Sequence, residues 1–154
     1  MRTRSILLLL VVCAVAVALS AADSPFMGTW KLNEAKSKIP DGAGKNTTVT
    51  YAAAGAEIKV TTDGVDGSGK PSHGEWTGKF DGKPYPVTGT GSVDSRSVTA
   101  KGDRAIDIVN MKGGNTVGTA KSEVAKDGKS RTLETEGTLP DGKKYHAKYV
   151  YDKQ

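Results

Sequence analysis

Cysteine is nearly missing from this chain of 154 residues: Cys13 is the only one, and it lies inside a leading apolar run. Everything after residue 22 is therefore without disulfides, and its stability must come from packing and the strand ladder. Histidine is almost as scarce, with only His73 and His146. Metal sites usually draw three or four ligands from His, Cys and carboxylates, and these two have no i, i+4 spacing. No metal and no cofactor is expected. Long apolar runs are lacking too. The longest, Ile6–Leu19, covers 14 residues, short of the roughly 18 that a membrane-spanning helix needs.

That run reads instead as the core of a signal peptide. Arg2 and Arg4 precede it, and Ser20-Ala21-Ala22 supplies small side chains for cleavage after Ala22. Val12 stands before Cys13 and apolar residues follow it, which argues against a lipoprotein anchor. The expected organisation is a signal peptide over 1–22 and one domain over 23–154. The mature protein would then be exported, periplasmic or extracellular, with no stable membrane anchor after cleavage. Loss of Arg2 and Arg4 leaves 20 basic against 17 acidic residues, spread along the chain in alternation. Nucleic-acid binding would gather the basic residues on one face, so no nucleic-acid partner is expected.

Helical periodicity is almost absent after residue 22, and turn chemistry is frequent. Asp-Gly occurs at 41–42, 63–64, 66–67, 81–82, 127–128 and 141–142, with Gly113-Gly114 besides. Such pairs suit the φ > 0 geometry of hairpin turns. Short runs of alternating polarity lie between them. These predict strands over 26–32, 47–53, 57–62, 74–80, 85–90, 97–101, 105–111, 116–125, 131–137 and 144–152. The fold class expected is all-β, an antiparallel up-and-down meander of about 8–10 strands. Closing it into a barrel removes both exposed edges. The stretch 33–45 is the longest connection, with a possible helical turn at its start, and is the natural rim or lid.

Phe26-Met27-Gly28-Thr29-Trp30-Lys31-Leu32 resembles the opening strand of the calycin superfamily, which contains lipocalins and intracellular fatty-acid-binding proteins. The end, Tyr149-Val150-Tyr151-Asp152-Lys153, is similar to the terminal strand of the fatty-acid-binding branch. The whole also resembles small exported lipocalin-like bacterial proteins of uncharacterised function. The resemblance implies a lipocalin-like barrel closed at one end by Gly28 and Trp30. It also implies a hydrogen-bond donor at Tyr151, whereas Tyr149 stands where that branch has an arginine. The 33–45 stretch is too short for that branch's helical lid. The late arginine that stacks on the tryptophan in lipocalins has no clear counterpart in the sequence, Arg131 being the residue available for it.

Other constellations fail on context. Gly64–Lys70 has the glycine and lysine spacing of a phosphate-cradling loop, but Pro71 replaces the needed hydroxyl and no helix follows. Counted as a calcium loop from Asp63, the third, fifth and twelfth positions are Val65, Gly67 and Gly74, none a ligand. No nucleophile–base pairing appears, so a non-enzymatic role is expected. Large apolar residues are few, and many inward positions hold Thr, Gly or Ala. This leaves two outcomes open: a hollow barrel or a thin core. In the hollow case the protein binds a small, partly apolar or amphipathic ligand. The expected lining is Tyr51, Val60, Trp76, Phe80, Tyr85, Ile108, Leu133, Tyr149 and Tyr151. In the filled case it is an interaction or inhibitor protein of the cell envelope that uses its loop tips.

Overall fold

A computed structural model describes residues 23–139 and 141–154; the expected signal segment lies outside the described residues. All ten expected strands form. They are β1 (Gly28–Leu32), β2 (Lys45–Ala54), β3 (Glu57–Val65), β4 (Pro71–Gly78) and β5 (Asp81–Thr88). The second half comprises β6 (Ser95–Ala100), β7 (Ala105–Lys112), β8 (Asn115–Val124), β9 (Ser130–Thr138) and β10 (Lys144–Lys153). Each pairs antiparallel with its sequence neighbours, and β1 pairs with β10 to close the barrel. Closure leaves neither terminal strand as a free edge. The ten-stranded antiparallel barrel is consistent with a calycin-like fold.

The period-2 alternation decides which way each side chain points. Val49, Tyr51, Ile58, Val60, Trp76, Val87, Val98, Ile106 and Val124 are buried inside. Their neighbours Lys59, Glu75, Lys79, Asp107, Glu134 and Lys148 lie on the outer wall, where Lys59 pairs with Glu75 at 2.7 Å. Both histidines are exposed, His73 beside Asp63 at 2.7 Å.

The two terminal motifs meet. Trp30 is opposite Lys153 and Leu32 opposite Tyr151 across the β1–β10 ladder. The Asn33 side-chain amide donates to the Asp152 carboxylate at 2.6 Å. Gly28 adopts φ 105°, and a Cβ there would stand 3.2 Å from Cε of Lys153. Glycine therefore both permits the backbone conformation and lets the Lys153 stem lie close by.

Several turn expectations are corrected. Asp63-Gly64 lies within β3, because a register shift in β2 brings the Lys45 carbonyl where a Gly64 Cβ would be. The β2–β3 turn uses Gly55 at φ 64° instead. Asp81-Gly82 opens β5 at an irregularity in its pairing with β6. Phe80, expected in a strand, occupies the β4–β5 turn. At 41–42, 81–82, 127–128 and 141–142 the glycine does take positive φ, at 80°, 79°, 70° and 84°.

One seam is thin. Strands β4 and β5 pair at Glu75–Thr88 and Trp76–Val87 alone. The amide of Val87 donates toward β6, to the carbonyl of Asp94, so by alternation Pro84 and Pro86 present their backbone nitrogens to β4. Proline has no N–H to give, and the ladder stops there.

Candidate functional site

The two ends of the barrel are built differently. At one end Trp30 is fully buried and its indole N–H donates to the carbonyl of Phe26 at 2.7 Å. Phe26 packs on Tyr51 and edge-on to Phe80, at centroid distances of 5.7 and 5.9 Å. Trp76 stacks on Phe80 and meets Tyr85 edge-on. Tyr85 in turn covers Gly78, where a Cβ would lie 2.6 Å from its ring. Aromatics thus fill this end, and each arrangement adds to plain area burial.

Arg131 forms the boundary between the filled end and the space above it. It is 2% exposed, and its guanidinium carbon lies 4.6, 5.3 and 5.7 Å from the ring centroids of Tyr151, Tyr51 and Trp30. Cations over aromatic faces are stabilised by the ring quadrupole, more so when desolvated. One terminal nitrogen donates to the Tyr51 hydroxyl at 3.0 Å and to Ser122 Oγ at 3.3 Å. Its Nε and other terminal nitrogen are buried without a hydrogen-bond partner. Arg131 is therefore the arginine that packs on Trp30.

Above Arg131 the interior opens into a cavity of about 530 Å3 that reaches the other end of the barrel. Six of the expected lining residues border it: Tyr51, Val60, Ile108, Leu133, Tyr149 and Tyr151. Trp76, Phe80 and Tyr85 do not; they belong to the aromatic cluster of the filled end. The space exists because the remaining inward positions carry small side chains, among them Thr62, Ser72, Asn110, Ala120 and Thr135. Gly42, Ala43 and Gly44 from the 33–45 connection border the mouth, packed directly against Val65, Asp66 and Gly67 where β3 runs into the β3–β4 connection. That connection begins with a 3-10 turn, Glu34–Lys36.

Two phenols are committed to holding this rim. The Tyr149 hydroxyl donates to the Gly44 carbonyl at 2.7 Å, and that of Tyr151 to the Asn46 carbonyl at 3.1 Å. The donor role that the family resemblance implies for Tyr151 is thus already taken up by backbone. Burial pushes the Tyr151 phenol up to about 12, with Arg131 opposing and Tyr51 reinforcing the shift. Burial raises Tyr149 as well, helped by Tyr145 and Tyr151. Both stay protonated and donating at neutral pH.

The glycine-rich 64–70 segment is occupied by its own aspartate. Asp66 Oδ1 accepts from the Ser68 amide at 2.9 Å, the Ser68 hydroxyl at 2.7 Å and the Lys70 amide at 3.0 Å. The Ser68 hydroxyl bond first, then the Lys70 amide, holds this carboxyl below the usual range. Amides that a phosphate would need are spent on a turn. Among the described residues, no three His, Asp or Glu side chains are grouped to hold a metal.

Arg96 is the residue that sequence reasoning missed. It lies two positions from buried Val98, on the inward face of β6, and borders the cavity. Its Nε donates to Asn110 Oδ1 at 2.7 Å, directly across the β6–β7 ladder. Burial lowers the pKa of its guanidinium, an effect that the Tyr51 phenol opposes. Arginine nonetheless remains charged in proteins. The parity of Arg96 with Val98 was the available signal, overridden by the general expectation that charge faces water. A second depression of about 430 Å3 over β7–β10 is bordered by Asp107, Lys121, Glu134, Glu136 and His146.

Compared with known families and curated proteins, the chain matches no family model and no curated protein.

Proposed function

We propose that this is an exported, non-enzymatic protein that holds a small, partly apolar molecule inside a lipocalin-like barrel. The observation that carries this reading is the unfilled interior, about 530 Å3 above Arg131. Small-molecule sites typically occupy about 300–1,000 Å3 and combine apolar walls with a few placed polar groups. Here Val60, Ile108 and Leu133 supply apolar wall, and Arg96 and Asn110 supply polarity. A loop-tip interaction protein needs no such space, so the cavity favours ligand binding over that alternative. Export rests on the signal-peptide pattern of residues 1–22.

Native mass spectrometry of protein recovered from the exported fraction of its own cells tests both parts. The expected polypeptide mass corresponds to a start at Asp23, accompanied by a co-purified small molecule. An Ala120→Phe variant, which puts a ring into the cavity from β8, should lose that molecule. Retention of residues 1–22 would overturn export. Wild-type protein without any bound molecule, and without affinity for apolar probes, would overturn ligand binding.

A further inference from the structure

The phenols of the cavity are not all spent. Of the four tyrosines bordering it, Tyr51 accepts from Arg131, and Tyr149 and Tyr151 donate to rim carbonyls. The Tyr145 hydroxyl has no partner among the described residues, and burial raises its phenol, so it stays protonated. Its ring lies over Gly137, where a Cβ would stand 2.9 Å from Cε1. The strand registers continue from it: Tyr145 is opposite Gly137, Gly137 opposite Gly118, Gly118 opposite Asn110, and Asn110 opposite Arg96. At this level the inner wall therefore runs from an aromatic ring over two glycines to an amide and a guanidinium. Asn110 Oδ1 accepts from Arg96 Nε, which leaves the amide nitrogen of Asn110 to donate. On the other arc of the barrel, Asn46 and Ser72 flank Gly64 in register and border the cavity. Among the described residues, neither side chain has a hydrogen-bond partner.

We infer that this mouth is a saccharide subsite centred on Tyr145, and that the natural ligand is an uncharged glycoside, a sugar head on an apolar body. The assignment rests on the ligand-binding reading above and narrows it. A pyranose has an apolar C–H face and a rim of hydroxyls, each of them both donor and acceptor. Tyr145 suits it twice, offering a rigid aromatic surface to the face and a hydroxyl to the rim. Asn46, Ser72 and Asn110 each carry donor and acceptor atoms, as a hydroxylated head requires. The terminal nitrogens of Arg96 donate to hydroxyl oxygens. Gly64, Gly118 and Gly137 leave the width that a sugar ring needs, where side chains would fill it. Ile108 stands one inward step below Asn110 on β7 and, with Val60 and Leu133, receives the apolar body. A carboxylate or sulfate head only accepts hydrogen bonds, so it would leave the acceptors of Asn46 and Ser72 and the Tyr145 ring without a role. A bare hydrocarbon would leave the whole polar rim unmatched.

Calorimetric titration of the mature protein with octyl glucoside, octyl galactoside, octanol and octanoate, each below its micellar concentration, tests this. At least one glycoside should bind about tenfold or more tightly than octanol, as one or two net hydrogen bonds provide, and more tightly than octanoate. Tyr145→Ala removes both the ring and the hydroxyl. It should bring that glycoside and octanol to within about threefold of each other, while octanol binding persists because the apolar wall is intact. Tyr145→Phe keeps the ring over Gly137 and should lose about threefold of the preference, the share of one hydroxyl. It also keeps the test decisive should Tyr145→Ala fail to fold. Equal affinity of wild-type protein for both glycosides and octanol would overturn the saccharide inference and leave the ligand-binding reading standing. Tighter binding of octanoate than of either glycoside would do the same. A glycoside preference unchanged in Tyr145→Ala, or in Tyr145→Phe where the alanine variant does not fold, would overturn the placement at Tyr145. No binding of any of the four would remove both readings together.

Discussion

The two ends of this barrel use the same ten strands and the same inward–outward alternation, yet one is solid and the other hollow. At the solid end the inward positions carry Trp30 and Trp76, joined by Phe26 and Phe80 from flanking turns. At the hollow end they carry Ser72, Gly74, Asn110, Thr135 and Gly137, with Tyr145 lying over Gly137. Hydrogen bonding does not distinguish the ends, because the ladders of most strand pairs run through both. Side-chain volume does. In a ten-stranded barrel the backbone circumference sets the interior width, so small residues leave space that nothing else fills.

The sharpest test of this contrast is truncation at each end. Trp30→Ala removes a fully buried indole together with its bond to Phe26 and should cost roughly 3–5 kcal/mol. For a domain of this size the melting temperature should drop by about 10 °C or more. Leu133→Ala, at the cavity wall, should cost below about 2 kcal/mol, since its side chain is only partly buried. Equal losses in thermal melts would show that the hollow end is packed as tightly as the solid one.

Alkaline titration comes next. The Tyr151 phenol ionises near 10 when unfolded and at about 12 in the folded barrel, where burial is the main cause. The folded state therefore holds the proton longer. Its contribution is fully present below pH 10 and is lost as pH rises from about 10 to 12. A shift of this size is worth roughly 2–3 kcal/mol. Denaturant midpoints measured between pH 9 and 12 should fall steeply. In Tyr151→Phe the fall should be shallower, the remainder coming from Tyr149. An unchanged slope in the variant would show that Tyr151 is not held protonated by burial.

The smallest effect concerns the rim. Tyr149→Phe removes the bond to the Gly44 carbonyl and should cost about 1 kcal/mol. Its more specific consequence is local: amide hydrogen exchange across residues 42–46 should accelerate, while exchange around Trp30 should not change. Acceleration at both ends alike would mean that the two ends open as one unit.

Much of the fold was legible because alternation and turn residues act locally. Ten strands could be placed, and the inward set Val49/Tyr51, Ile58/Val60 and Ile106/Ile108 follows from period 2 alone. Asp63-Gly64 misled, because its glycine answers to the Lys45 carbonyl on another strand rather than to a turn. Phe80 misled similarly: it is apolar because a turn tucks it beneath Phe26 and Trp76, not because a strand carries it inward. The candidate site was legible only in part. Six lining residues follow from being large and inward, but Trp76, Phe80 and Tyr85 share those properties and sit at the other end.

The sequence by itself determined the all-β class, the order of the strands and the face each residue presents, because these depend on neighbours within a few positions. The resemblance of its opening strand also pointed to Gly28 and Trp30 as the residues that close one end of the barrel. Only the tertiary structure decided the rest: which end is filled, that Tyr149 and Tyr151 spend their hydroxyls on the rim, and that Arg96 and Arg131 share an interior in which neither meets a carboxylate. Those outcomes depend on residues brought together from strands as much as 105 positions apart. Closure of the barrel, rather than any local preference, sets which of them meet.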